Sequence, residues 1–317
     1  MTALWIIIAI IVVIALLLWI IAEFMFKKFF VRDNPERTEE DFHKTVLKSK
    51  NPETLPRIKA DGEIMKKRPY ESVTITSRDG LKLQGRVFLN PNPTNDTILL
   101  VHGYKSRAYF DFGCGFDGYQ KLGLNIVLVD QRAHGDSEGK YITFGVKERF
   151  DVVDWANWLV ERFGADSKLL VGGMSMGCTS VLLAAGEPDF PKAIRGLIAD
   201  CGFTSAGDEF RHVMKSALHI PTFPLLNIVN IISKSRAGFT ADEISTVDAV
   251  KNIKIPVYFF HGEADNFVIP EFSKRNYDAC SSPDKRILLV PGADHGMSYL
   301  IDEEGYAAGL EDYIGSL

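Results

Sequence analysis

Lys168-Leu169-Leu170-Val171-Gly172-Gly173-Met174-Ser175-Met176-Gly177-Cys178-Thr179 is the stretch that decides the fold. Its first part, residues 168–171, is a short apolar run that reads as a buried strand, and the residues from Met176 to Ala185 read as an apolar helix. Between them, Gly173-Met174-Ser175-Met176-Gly177 has the spacing of a sharp strand-to-helix turn. Crowding in such a turn leaves room only for small residues two before and two after the serine. The serine then stands at the carboxyl edge of a sheet, where open α/β sheets bind ligands. It also opens a helix, whose free N–H groups favour developing negative charge.

Working outward, short apolar runs alternate with helical patterns. Residues 73–76 and 81–89 flank Arg78-Asp79-Gly80, a turn signal that predicts an antiparallel hairpin. Further runs lie at residues 97–101, 125–129, 194–198, 257–260 and 286–290, with helical spacing over 146–163 and 176–185. Continuous apolar runs of this length suit strands buried on both faces of a parallel sheet. The order predicts an α/β class fold: a doubly wound, mostly parallel sheet flanked by helices. One stretch breaks the alternation. Phe210, Val213, Met214 and Leu218, then Leu225, Leu226, Ile228, Val229, Ile231 and Ile232, form two helical patterns between successive strands. We read residues 203–250 as a helical lid insertion, with ordinary helices packed on the sheet as the alternative.

The turn, its context and its partners resemble the α/β-hydrolase superfamily over residues 72–317. The resemblance implies a Ser, acid, His order with each member following its own strand. Asp265 lies in His261-Gly262-Glu263-Ala264-Asp265, and His295 in Gly292-Ala293-Asp294-His295-Gly296, both just past apolar runs. It therefore implies Ser175 as nucleophile, His295 as general base and Asp265 as its partner. A serine hydroxyl needs a base to take its proton, a neutral imidazole suits that task, and a carboxylate on the far nitrogen fixes the tautomer. Among seven histidines, His134 is the serious competitor for the base; Glu263 and Asp294 neighbour the acid. The resemblance also implies an oxyanion hole from the amides of Met176 and of Tyr104, in Val101-His102-Gly103-Tyr104, with the Tyr104 phenol as a further donor. Asp130-Gln131-Arg132-Ala133-His134-Gly135-Asp136-Ser137 reads as structural, with Asp130 and Arg132 as a buried pair; family members usually carry Gly where Ala133 stands. Such machinery predicts activity that rises with pH through about 6 to 7.

Residues 3–22 are 20 uncharged, almost wholly apolar residues with Trp5 and Trp19 near the ends. A helix of that length spans roughly 30 Å, a bilayer core. No Lys or Arg precedes the run and Glu23-Phe24-Met25-Phe26 is a poor cleavage site, so it reads as an uncleaved single-pass anchor, residues 1–26. Lys27, Lys28, Arg32 and Arg37 follow it, which predicts a cytoplasmic catalytic domain. Residues 27–71, rich in alternating charge and broken by Pro35, Pro52, Pro56 and Pro69, read as a charged stalk with a short helix near 39–48.

The remaining composition closes off other classes. A net charge of −5 argues against a nucleic-acid binder. Cys114, Cys178, Cys201 and Cys280 lack ligand spacing, so no metal is expected. No cofactor is expected either: Gly113-Cys114-Gly115 has no strand before it and no third glycine, unlike a dinucleotide loop. The reading is a membrane-bound serine hydrolase of carboxylic esters or thioesters, with the bilayer held by residues 3–22 and a small acyl substrate. A peptidase acting on short peptides, or a hydrolase-fold binding module without turnover, are the alternatives.

Overall fold

Eight strands form one sheet in the computed structural model, which describes residues 2–32 and 35–317. They are β1 (Glu71–Thr76), β2 (Lys82–Phe88), β3 (Thr97–Val101), β4 (Asn125–Val129), β5 (Leu169–Met174), β6 (Ile194–Asp200), β7 (Val257–Gly262) and β8 (Lys285–Val290). Their spatial order is β1-β2-β4-β3-β5-β6-β7-β8. The β1–β2 hairpin and the β2–β4 pair are antiparallel, and every later pair is parallel. The expected doubly wound, mostly parallel architecture is the observed one.

The apolar runs are continuous because the central strands are covered on both sides. Side chains alternate across a strand. Ile98 and Leu100 of β3 join one core with Phe116, Tyr119, Tyr306 and Leu310. Leu99 and Val101 join the other, with Trp155, Leu159, Val181 and Leu182. The helices that supply these layers are, in chain order, α1 (Thr2–Phe30), α2 (Pro35–Lys48), α3 (Leu55–Lys67), α4 (Ala108–Phe112), α5 (Phe116–Lys121), α6 (Glu148–Phe163), α7 (Met176–Ala185), α8 (Ala206–Ser216), α9 (Leu225–Ala237), α10 (Thr246–Ala249), α11 (Pro270–Ala279), α12 (Ser298–Ile301) and α13 (Glu303–Gly315). Thus α6 and α7 cover one face, and α4, α5 and α13 the other.

The amino-terminal region departs most from its sequence reading. α1 is long and apolar enough to cross a membrane, and its residues from Leu4 to Ile21 are exposed almost throughout. Its last turns are not. Ala22, Met25, Phe26 and Phe30 are buried against the cluster of Phe144, Phe210, Val229, Ile232 and Phe239. Phe30 lies ring to ring with Phe210 at 5.1 Å and Phe144 at 5.4 Å. Val31 bridges Tyr141 in antiparallel fashion, and the Arg32 guanidinium donates to the carbonyls of Gly135 and Ser137. An ion pair between Arg236 and Glu23 joins α9 to α1.

Where the charge pattern reads as a stalk, the described residues form α2 and α3, folded onto the body. Val46, Leu55 and Ile58 pack with Val290, Ala293 and Met297. Three of the four prolines lie at helix starts, where their missing N–H costs nothing: Pro35 opens α2, Pro52 a 3₁₀ turn, and Pro56 lies in the first turn of α3, while Pro69 follows the end of α3. Within residues 203–250, α8 and α9 pack on Met176, Phe203, Val268 and Phe272 as well as on α1, so this insertion joins the Ser175 turn to the docked end of α1.

Candidate active site

Ser175 sits between β5 and α7 at φ 55°, ψ −119°, a conformation that a non-glycine residue holds only when its surroundings enforce it. The enforcement is local. Its N–H donates to the Asp200 carbonyl (2.8 Å), and its own carbonyl accepts from Thr179 N (3.0 Å), starting α7. A Cβ on Gly173 would run into the backbone of Gly177, and one on Gly177 into the carbonyl oxygen of Val101. Both glycines are therefore required by close backbone approach.

His295 follows β8 and Asp265 follows β7. The parallel register β5-β6-β7-β8 brings both loops to the Ser175 edge. His295 Nε2 lies 2.9 Å from Ser175 Oγ, and His295 Nδ1 lies 2.7 Å from Asp265 Oδ2. The other carboxylate oxygen, Oδ1, accepts from the amides of Phe267 and Val268, each at 2.9 Å. Burial opposes ionisation of Asp265, but His295 and His261 beside it outweigh burial and hold its carboxyl below the usual range. Burial likewise opposes protonation of His295, but the Asp265 carboxylate prevails and raises the imidazole above its ordinary 6.5. The imidazole therefore keeps its proton to a higher pH than an unperturbed histidine.

His134 is elsewhere engaged. It is buried, its Nε2 accepts from Lys105 N (3.0 Å) and its Nδ1 lies 2.9 Å from the Arg132 carbonyl. Burial, then His102, holds it well below 6.5. His102 and Gln131 brace the same loop: Gln131 N donates to His102 Nε2 (3.1 Å) and Gln131 Nε2 to His102 O (2.5 Å).

Met176, the first residue of α7, and Tyr104, in the loop after β3, flank Ser175. The Tyr104 phenol donates to the Phe29 carbonyl of α1 (2.9 Å), so it holds the docked helix rather than facing a reacting oxygen. Asp130 and Arg132 are both buried but do not pair with each other. Arg132 pairs with Asp151 and Asp79, and Asp130 with Arg86. A guanidinium fork reaches across to β2 and α6 neighbours more readily than to a residue two along the same chain.

Three carboxyls near the site carry no motif and escape a sequence reading. Asp111, in α4, accepts from Gly103 N (2.6 Å) and Ser106 Oγ (2.6 Å), fixing the loop that carries Tyr104; burial raises its pKa. Asp200 ends β6 and accepts from the Tyr306 hydroxyl (2.9 Å); burial raises it too. Glu209, on α8, is 4% exposed with no hydrogen-bond partner for either oxygen, and burial pushes it up to about 8. Its neighbours in sequence, half-buried Asp208 and exposed Arg211, pair with each other, so only tertiary packing distinguishes it. Asp294 accepts from its own neighbour His295 N (2.9 Å) and from Lys50 N (2.7 Å).

Ser175 and His295 open into a cavity of about 1420 Å³ bounded by α2, α3, α4, α5 and α13. Its walls include Phe42, Val46, Ile58, Met65, Phe110 and Leu310, with Lys105 and Arg57 among the charges lining it. Among the described residues no three His, Cys, Asp or Glu side chains converge as a metal-ligand set.

A family model for the alpha/beta hydrolase fold matches residues 96–221. The uncharacterized protein YqkD of Bacillus subtilis is 26% identical over 253 residues, covering 77% of this chain and 78% of that protein. The thiohydrolase aneE of Aspergillus aculeatus is 27% identical over 256 residues, covering 71% and 77%. Among solved structures, the esterase Pf2001 of Pyrococcus furiosus superposes with a TM-score of 0.63 at 25% identity, covering 78% of this chain and 92% of that one. The chain has the fold these proteins share, and the likeness supports a hydrolase.

Proposed function

We propose that this chain, which has the α/β-hydrolase fold and whose likenesses support that superfamily, is a serine acyl hydrolase that cleaves carboxylic ester or thioester bonds. The observation that carries the reading is the connected chain of Ser175 Oγ, His295 and Asp265, at 2.9 Å and 2.7 Å. In the proposed reaction Ser175 Oγ attacks the substrate carbonyl as His295 Nε2 takes its proton. Asp265 stabilises the imidazolium. The Met176 and Tyr104 amides receive the oxyanion. Collapse passes the proton from His295 to the leaving alcohol or thiol, and water, activated by the same imidazole, releases the acyl group. Residues 72–317 are the catalytic domain in this reading.

The apolar walls of the cavity and its size favour a substrate with a long acyl chain. So does its height above a bilayer. Lys105 lines the cavity and donates from Nζ to the Lys28 carbonyl, six residues past Ala22. At 1.5 Å per residue the cavity wall lies within roughly 10 Å of the end of the apolar run. With residues 3–22 as a single-pass anchor and Lys27, Lys28 and Arg32 after it, the proposed place of the domain is the cytoplasmic membrane surface.

The test is a panel of p-nitrophenyl esters of rising chain length beside aminoacyl-nitroanilides, with fluorophosphonate labelling of Ser175. Ester hydrolysis that improves with chain length is expected. Preference for the anilides would make the protein a peptidase, and absence of labelling would make it a binding module. Protease accessibility in intact cells reports the side of the membrane.

A further inference from the structure

The Lys50-Asn51 dipeptide, between α2 and α3, lies more than 200 residues from the loops that carry His295 and Asp265, yet is bonded to both. The Asn51 carboxamide, 7% exposed, spans the turn before His295: Oδ1 accepts from Asp294 N at 2.8 Å, and Nδ2 donates to the Gly292 carbonyl at 3.3 Å. Lys50 N donates to Asp294 Oδ2 at 2.7 Å, and Asp294 Oδ1 accepts from the His295 amide at 2.9 Å. Lys50 Nζ donates to the carbonyl of Ala264, the residue before Asp265, at 2.6 Å. Beneath the dipeptide, Thr54 Oγ1 reaches Met297 Sδ, and Val46, Leu55 and Ile58 pack on Val290, Ala293 and Met297.

We propose that Asn51, aided by Lys50, is a positioning residue for the His295–Asp265 pair, so that the segment joining α1 to β1 is a working part of the catalytic site. The proposal rests on the serine-hydrolase reading above. The turn from Gly292 to Gly296 has a glycine of positive φ at each end and runs between β8 and the short α12, with Met297 N donating to the Asp294 carbonyl at 3.0 Å within it. Asn51 braces the half of that turn before His295 from outside, by bonding Gly292 and Asp294, and Lys50 ties the acid loop to the same point. A displacement of about 1 Å at a reacting group is enough to lower turnover on the order of 100-fold, which sets the scale of the effect.

The experiment uses the full-length chain in detergent, with kcat and KM for a p-nitrophenyl ester normalised to the fraction of sites that react with a fluorophosphonate. Asn51→Ala is expected to lower kcat roughly 10- to 100-fold per reactive site, with KM within about twofold of wild type. Lys50→Met removes one bond from an exposed side chain, does not threaten folding, and is expected to lower kcat about three- to tenfold. Asn51→Gln, which keeps both hydrogen-bonding groups, should recover part of the loss. If both Asn51→Ala and Lys50→Met keep wild-type kcat per reactive site, or lose activity only in step with the folded fraction, the dipeptide is structural and the proposal fails. If instead wild-type Ser175 does not label and Ser175→Ala retains full activity, it is the hydrolase reading that fails.

Discussion

The turn around Ser175 and the helix pair α2–α3 both border the same cavity, but they are built in opposite ways. The turn is made from contacts within one short stretch and its neighbouring strands. Gly173 and Gly177 give clearance, and the Asp200 carbonyl and the start of α7 hold Ser175 at positive φ. The helix pair is made from long-range contacts, apolar on one face and hydrogen-bonded at Lys50-Asn51, to a part of the chain that follows more than 200 residues later. The difference teaches where failure would appear. Damage to the turn should remove chemistry outright, whereas damage to the helix pair should degrade the precision of the site or the fit of the acyl chain.

Substitutions sharpen that contrast. Ser175→Ala should lower kcat by roughly 10⁴-fold or more with no change in thermal unfolding, as measured by ester turnover and differential scanning calorimetry. Asp265→Asn should cost a factor of about 10⁴ by leaving the imidazole without its orienting carboxylate. In the wild type, activity should rise with pH as His295 loses its proton, through a midpoint above 6.5, because Asp265 stabilises the protonated ring. The residual activity of Asp265→Asn should have its midpoint lower than the wild type's; an unmoved midpoint would mean the limb belongs to another group.

Gly177→Ala, within the turn itself, should destabilise the fold by roughly 1–3 kcal/mol as the new methyl meets the Val101 carbonyl, and should remove ester turnover. Smaller effects on turnover are expected away from the chemistry. Ile58→Ala, a deletion in the buried contact between α3 and the His295 turn, should cost roughly 2–5 kcal/mol yet reduce hydrolysis of long-chain esters more than that of the acetate. An equal loss on all chain lengths would break the distinction between the two regions. Glu209 offers a stability test that belongs to neither. Its folded pKa, raised from 4.5 to about 8, makes its contribution fully favourable below 4.5 and lost as pH rises to 8. Chemical denaturation should therefore show Glu209→Gln gaining on the wild type across that window and holding the gain above it.

Much of this was legible before any coordinates. The strands at residues 97–101, 125–129 and 257–262 are short apolar runs buried on both faces, and burial on both faces is what writes a continuous run into sequence. Ser175 was legible because the turn restricts residue types at fixed spacing, and Asp265 and His295 because each follows its own strand. Asp111, Asp200 and Glu209 were not, because a carboxyl acquires its meaning from burial and partners, neither of which is periodic. The same holds for the pairing of Arg132 with Asp151 rather than with Asp130.

The sequence by itself determined the sheet, the turn at Ser175 and an apolar run long enough for a bilayer, since each follows from local pattern: period, glycine clearance and length. Only the tertiary structure decided what residues 22–67 do. Their charges alternate as in a solvated stalk, but Phe26, Phe30, Val46 and Ile58 face inward and are buried. Which face of a helix is covered depends on a partner hundreds of residues away, and no local pattern carries that information.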